Sequence, residues 1–215
     1  MRDVTLPVSS MRVLNAYRDR LCLQKYISST PAFHLAFRYI KLFCIRHGIF
    51  GARFGYLGGI HLTILCCSIA KARPDIKTAS EFVREFFRVY AHFDWASDLA
   101  SISETATAYR RTSREPMAIL SAVRPVVNHA VNATFFTLQA IVKEFRLAHK
   151  LLSEGCSWDH ICGEETMLAA FLDDFDRFIR IDVSYWGGNC MAARALLGYV
   201  ESRIVHVMVI LFLCG

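Results

Sequence analysis

The chain has 215 residues, 54% of them hydrophobic, enough for one full domain with a smaller second one, which excludes a disordered polypeptide. Twenty-five Lys and Arg against 19 Asp and Glu give a net charge of +6 and a pI near 9.0, a balance that suits a polyanionic partner such as RNA or a nucleotide phosphate as readily as an ordinary basic surface. The first twenty residues carry no basic-then-apolar secretory address, so a reducing compartment and eight unpaired cysteines are expected. The longest apolar stretches, 60–70 and 204–214, fall short of the roughly 20 residues that span a bilayer, so no membrane partner is expected. The mean hydropathy of +0.31 is high, and interfaces with segments outside the chain would account for it.

In chain order, Ser29 and Thr30 before Pro31 form a helix start and Gly48 a helix stop, predicting a helix over 31–47. Its apolar set is Leu35, Phe37, Ile40, Phe43 and Cys44, while Arg38, Lys41 and Ile45 step along another face. Gly51, Gly55, Gly58 and Gly59 then mark a tight turn, and a largely buried helix follows over 60–71, stopped before Pro74. Thr78 with Glu81 is a capping box, and Val83, Phe86, Phe87 and Tyr90 keep amphipathic spacing in a helix ending near His92.

From Asp94 to Val131 the periodicity fades into Ser, Thr, Arg and two prolines, longer than an ordinary connection and therefore expected to be functional or wrapped around a partner. A long helix resumes near Thr134, with Phe135, Leu138, Val142, Phe145 and Leu152 inward, and stops at Gly155. The tail changes character: 178–185 (FIRIDVSY) alternates with period two, Ala193, Leu196, Leu197 and Val200 share a helical face, and 204–212 reads as a second strand. The expected fold is thus mainly α over 1–165, followed over 166–215 by the opening of an unfinished α+β domain.

A lysine on a helix that runs into a glycine turn is a sensible way to hold a triphosphate, because the ammonium neutralises charge and the glycines let backbone approach the ligand. Lysines on helices are also commonly just solvated. The residues from 37 to 60, FRYIKLFCIRHGIFGARFGYLGGI, carry more than this pattern: they resemble the IKLWAK helix and GFLGG turn of the poly(A) polymerase family. Two further segments agree. REFFRVYAHFDW (84–95) resembles that family's FF-aromatic-W helix, and GYVESRI (198–204) resembles the helix-to-strand passage of its RRM-like RNA-binding domain.

The resemblance implies the helical central domain of a polynucleotide adenylyltransferase followed by the start of its RRM-like RNA-binding domain, with the nucleotidyltransferase domain missing. Lys41 then matches the lysine on the ATP triphosphate, and Gly59 with Ile60 match the glycine and valine near the incoming nucleotide. Asn15, 26 residues before Lys41 in LNAYRD, matches an asparagine that touches the nucleotide. Phe50 takes the place of a nucleotide-contacting tyrosine. The implied partners are ATP as substrate, RNA, and a catalytic domain in cis or in trans, and the implied location is nuclear, with the cytoplasm as the other compartment. Mg or Mn would enter only through that catalytic domain, which supplies the metal-binding aspartates.

Two departures bear on this. The family's Tyr-Ser-Asn reads Phe50-Gly51-Ala52, so two polar groups are gone, each worth about 0.5–1.5 kcal/mol of affinity. Arg53 next to them is one candidate replacement for a phosphate contact. No Gly-Ser turn followed by paired aspartates occurs in the chain, and the D-x-D at Asp174 and Asp176 reads as a solvated turn.

Arg110, Arg111, Arg114 and Arg124 are either a solvated loop or part of an RNA path. Cys156, His160 and Cys162 fit no common zinc spacing. His47 is expected to cap a helix, and the Asn132-Ala133-Thr134 sequon to cap the next. Two function classes remain open: the ATP- and RNA-positioning part of an adenylyltransferase, and a catalytically inactive RNA-binding relic or partner subunit of the same fold.

Overall fold

Threonine caps and glycines set several of the helix ends. The computed structural model describes residues 8–30, 32–103, 108–162 and 180–214, in two compact units, Met1–Met167 and Leu168–Gly215. The described residues of the first unit form α1 (Val8–Ser29), α2 (Phe33–Arg46), α3 (Gly59–Ala72), α4 (Ala79–Ala91), α5 (Phe135–Ser153) and the short α6 (Trp158–Cys162). The second unit contains α7 (Cys190–Cys214).

At the start of α4, Thr78 Oγ1 accepts from the Glu81 amide at 3.2 Å and Glu81 Oε2 accepts from the Thr78 amide at 3.4 Å, the reciprocal bond that the sequence predicts. Thr134 and Thr137 do the same for α5, at 3.2 and 2.9 Å. After α5 the chain passes through Gly155, whose φ of 82° is in the left-handed region. The start of α2 differs from expectation: the helix begins at Phe33, closed by a backbone bond from the Phe33 amide to the Thr30 carbonyl, with no side-chain cap.

Helix α4 packs between α2 and α5, and α3 lies against α1 and α2. The centre is aromatic. Phe43 of α2 meets Phe87 of α4 edge-on at 4.8 Å, and Phe86 and Phe87 each meet Phe145 of α5 at 5.6 Å, all fully buried. Burying a side chain of this size contributes about 1.5–3 kcal/mol, and the edge-to-face geometry adds about 0.5–1.5 kcal/mol per pair. Tyr90 is also buried, with its hydroxyl donating to the Leu65 carbonyl at 2.9 Å. Cys44, Cys66 and Cys67 behave as small apolar side chains in this core, where burial drives their thiols well above the usual range.

Two predicted faces are rotated. In α5 the buried set is Thr137, Ile141, Phe145, Ala148 and Leu152, while Phe135 is 62% exposed. In α2 it is Phe33, Ala36, Ile40, Phe43 and Cys44, and Leu35 is 52% exposed.

The segment between α4 and α5 has little regular structure, yet Met117 to Ser121 are buried. It packs on its own domain. Backbone bridges join Ala100 to Ile119 and Leu120 to Asn128. The Asn128 side chain satisfies four further groups: Oδ1 accepts from the amides of Ile119 and Ala130, and Nδ2 donates to the Met117 carbonyl and to Glu115.

Among the described residues of the second unit the expected α+β pattern is not seen. Residues 204–212, expected to be a strand, are the last turns of α7, and 180–185 form no strand; 178 and 179 lie outside the described residues. An apolar run of nine residues fits a strand or a buried helix equally by periodicity, and nothing between Asn189 and Cys214 interrupts the helix that Asn189 caps through its Oδ1. No helix among the described residues is long and apolar enough to cross a membrane.

Candidate functional site

The chain leaves α2 through His47, passes Gly48 in the left-handed region at φ 67°, and folds into a tight turn over 49–58. Two backbone bonds close the base, from the Gly51 amide to the Leu57 carbonyl at 2.7 Å and from the Leu57 amide to the Ile49 carbonyl at 3.2 Å. A single 3-10 turn, Ala52–Phe54, forms the tip. The glycines do different jobs here. Gly55 has φ 84°, and a Cβ would stand 2.6 Å from the Asn132 carbonyl oxygen; a Cβ on Gly58 would stand 2.9 Å from that of Ala52. Both allow close packing within the domain. Gly59, the first residue of α3, is exposed, and a Cβ there would meet nothing within 4 Å.

Lys41 is half-buried on α2 and brings its Nζ to 5.4 Å from the centroid of the Phe50 ring, at the first strut of the turn. The structure thus joins two of the sequence-predicted residues directly. Gly59 and Ile60 are at the far end of the same turn. Arg53 at the tip lies over the Phe54 ring at 5.4 Å.

Asn15 lies on α1 and is only 2% exposed. Its Nδ2 donates to the Pro125 carbonyl at 3.0 Å, and its Oδ1 is buried with no hydrogen-bonding partner. An unpartnered buried carbonyl oxygen costs about 1–3 kcal/mol, so its persistence calls for an explanation.

Sequence reasoning missed a second set of polar residues behind the turn. Asp19, one helical turn after Asn15, is fully buried; its Oδ1 accepts from the amides of Ala122 (2.7 Å) and Val123 (3.2 Å), and its Oδ2 lies 3.0 Å from His129 Nε2. The His129 carbonyl in turn accepts from His61 Nε2 at 2.9 Å, and His61 Nδ1 accepts from the Gly58 amide at 3.0 Å. His61 is 2% exposed, and burial lowers its pKa, with the bond to His129 opposing. The Gly58 bond requires a lone pair on Nδ1, so the ring is the neutral Nε2–H tautomer. These residues are up to 110 positions apart in the chain, and no local spacing announces them.

Residues 32–162 match the family model described as the poly(A) polymerase central domain. The chain belongs to that family. It is 26% identical over 206 residues to nuclear poly(A) polymerase 3 of Arabidopsis thaliana, covering 94% of this chain and 39% of the relative. It is 26% identical over 208 residues to a poly(A) polymerase of Dictyostelium discoideum (91% and 25% covered), and 22% over 204 residues to one of Entamoeba histolytica (92% and 38%). The chain therefore spans between a quarter and two-fifths of the length of these curated relatives.

In this poly(A) polymerase central domain the four arginines are not equivalent. Arg110, Arg114 and Arg124 are exposed, whereas the Arg111 guanidinium ties the loop together, donating from Nε to the Glu115 carbonyl at 2.8 Å and from Nη1 to the Ala96 carbonyl at 2.7 Å. Arg124 offers its carbonyl to Arg18 of α1 at 2.9 Å, next to the Asn15–Pro125 bond. His47 does more than cap α2: its ring lies 2.7 Å from Glu144 of α5 and 3.0 Å from the Ile161 carbonyl of α6. Thr134 caps α5, as the sequon reading expected.

Among the described residues no group of three or more His, Cys, Asp or Glu side chains is placed to hold a metal ion. Asp174 and Asp176 lie outside the described residues.

Proposed function

We propose that this chain positions ATP and RNA for a polynucleotide adenylyltransferase in mRNA 3′-end polyadenylation, with bond making left to a nucleotidyltransferase domain in the same or another polypeptide. The observation that carries this reading is the pairing of Lys41 with Phe50 at the base of the glycine turn. The ammonium rests over the ring, a contact worth about 0.5–1 kcal/mol at a partly open site. A charge-assisted bond to a triphosphate, about 1.5–3 kcal/mol, outweighs it. Gly59, with open space where a side chain would be, lets the ligand approach the backbone, and the unpartnered Oδ1 of Asn15 is an acceptor waiting for a donor. Exposed Arg110, Arg114 and Arg124 steer the RNA backbone. Several relatives carry "nuclear" in their names, which supports a nuclear site of action.

Calorimetric titration of Mg·ATP into the chain tests this. Lys41→Ala is expected to weaken binding about tenfold or more; unchanged affinity overturns the assignment. A second reading, an RNA-binding relic, is favoured by one feature, the replacement of two polar residues by Phe50 and Ala52. Filter binding separates the two: RNA retained equally with and without ATP, together with no heat of ATP binding, supports the relic.

A further inference from the structure

The turn that ends in Gly59 and Ile60 has a fixed starting point for α3, and one side chain sets it. Gly58 is the N-cap of α3: its carbonyl accepts from the Leu62 amide at 3.0 Å, but it has no side chain to accept from the first-turn amides. Its own amide is instead taken by the His61 ring three residues on, at 3.0 Å. The other nitrogen of the ring donates to the His129 carbonyl at 2.9 Å, on a segment held to α1 by Asp19. Gly58 also touches Ala52 closely enough to exclude a Cβ, so a shift of its amide carries the tip of the turn with it.

Resting on the nucleotide reading above, we propose that His61 is a positioning residue for the nucleotide turn, aligning Gly59 and Ile60 through its bond to the Gly58 amide. A histidine that only joins α3 to the 119–130 segment would act through its bond to His129 instead. The two bonds leave from different ring atoms, which makes the alternatives separable.

His61→Asn places an amide oxygen close to where Nδ1 stands, keeping an acceptor for Gly58 and losing the reach to His129. His61→Gln places its amide nitrogen close to Nε2, keeping a donor for His129 and losing the acceptor for Gly58. Mg·ATP is titrated into the wild-type chain and both variants, and thermal melting establishes that each is folded. The expected result is near-wild-type ATP affinity for His61→Asn and an affinity about fivefold weaker for His61→Gln. The reverse order overturns the proposal, as does wild-type affinity in both or an equal loss in both. On the wild-type chain alone, an NMR through-hydrogen-bond coupling between the Gly58 amide nitrogen and His61 Nδ1 is expected, and its absence also overturns the proposal. Failure of the wild-type chain to bind ATP at all is a different result: it refutes the nucleotide reading itself, and the positioning role falls with it.

Discussion

Gly55 and Asn132 approach so closely that a Cβ at position 55 would lie 2.6 Å from the Asn132 carbonyl oxygen, and the Asn132 amide also donates to the Ala52 carbonyl at 3.2 Å. The glycine turn is thereby docked on the start of α5. Gly55→Ala brings both a steric clash and a left-handed backbone, and should destabilise the domain by about 2 kcal/mol or more in urea unfolding. Gly59→Ala meets nothing within 4 Å and occupies a helical position, so its stability should be unchanged or slightly higher. If Gly59 faces the nucleotide, the same change weakens ATP binding. A Gly59→Ala protein with normal ATP affinity would remove that residue from the site.

Phe50→Tyr restores a polar group beside Lys41. One added hydrogen bond to nucleotide is worth about 0.5–1.5 kcal/mol, so ATP affinity should rise by a factor of roughly two to ten. Titration of the variant beside the wild type reads this directly, and no gain would mean that position 50 does not face the ligand.

Asp19→Ala should be among the most damaging changes at a position that sequence reading passes over. It strands the amides of Ala122 and Val123 and removes the partner of the His129 ring, inside a fully buried site. A loss of about 3 kcal/mol or more is expected. Asp19→Asn keeps an acceptor for both amides and should cost less; equal melting of the two variants would argue against those amide bonds.

Acid should loosen the loop before α5. Burial pushes the Glu115 carboxyl up, but the Thr112 amide, the Tyr109 hydroxyl and the Asn128 side chain donate to it and hold it at about 2, against an ordinary 4.5. Because the folded value is the lower one, its stabilising effect is present above about pH 4.5 and is lost as pH falls towards 2. After screening at this partly exposed site the contribution is on the order of 1 kcal/mol. Glu115→Gln should flatten the pH dependence of unfolding in that window, and an unchanged slope would refute it.

The elements with local punctuation were legible in the sequence. Gly48, the Thr78–Glu81 pair and Gly155 fix helix ends through contacts no more than four residues apart, and α4 buries the four residues its spacing selected, together with Phe82 and Ala91. Elements decided by distant partners were not. Helix α1 has charged and polar residues on several sides and no glycine or capping residue to mark its end, and what makes Asp19 and Asn15 buried is a segment 103 to 110 residues away. In α5, Thr137 takes an inward position that an apolar count gives to Phe135, because its hydroxyl caps the helix and its methyl faces Gly55. Of the candidate site, the Lys41–Phe50 pairing and the glycine turn follow from near neighbours, whereas the His61–His129–Asp19 connection depends on tertiary contacts alone.

Helix α1 carries a further implication through the three side chains it lends to residues 122–129. Asn15, Arg18 and Asp19 complete that stretch, whose own backbone has a single bridge, from Asn128 to Leu120. Bringing the stretch onto α1 closes more than a hundred residues of chain, a slow kind of event. During synthesis α1 must therefore wait for residues 122–125 before Asn15 and Asp19 meet their partners.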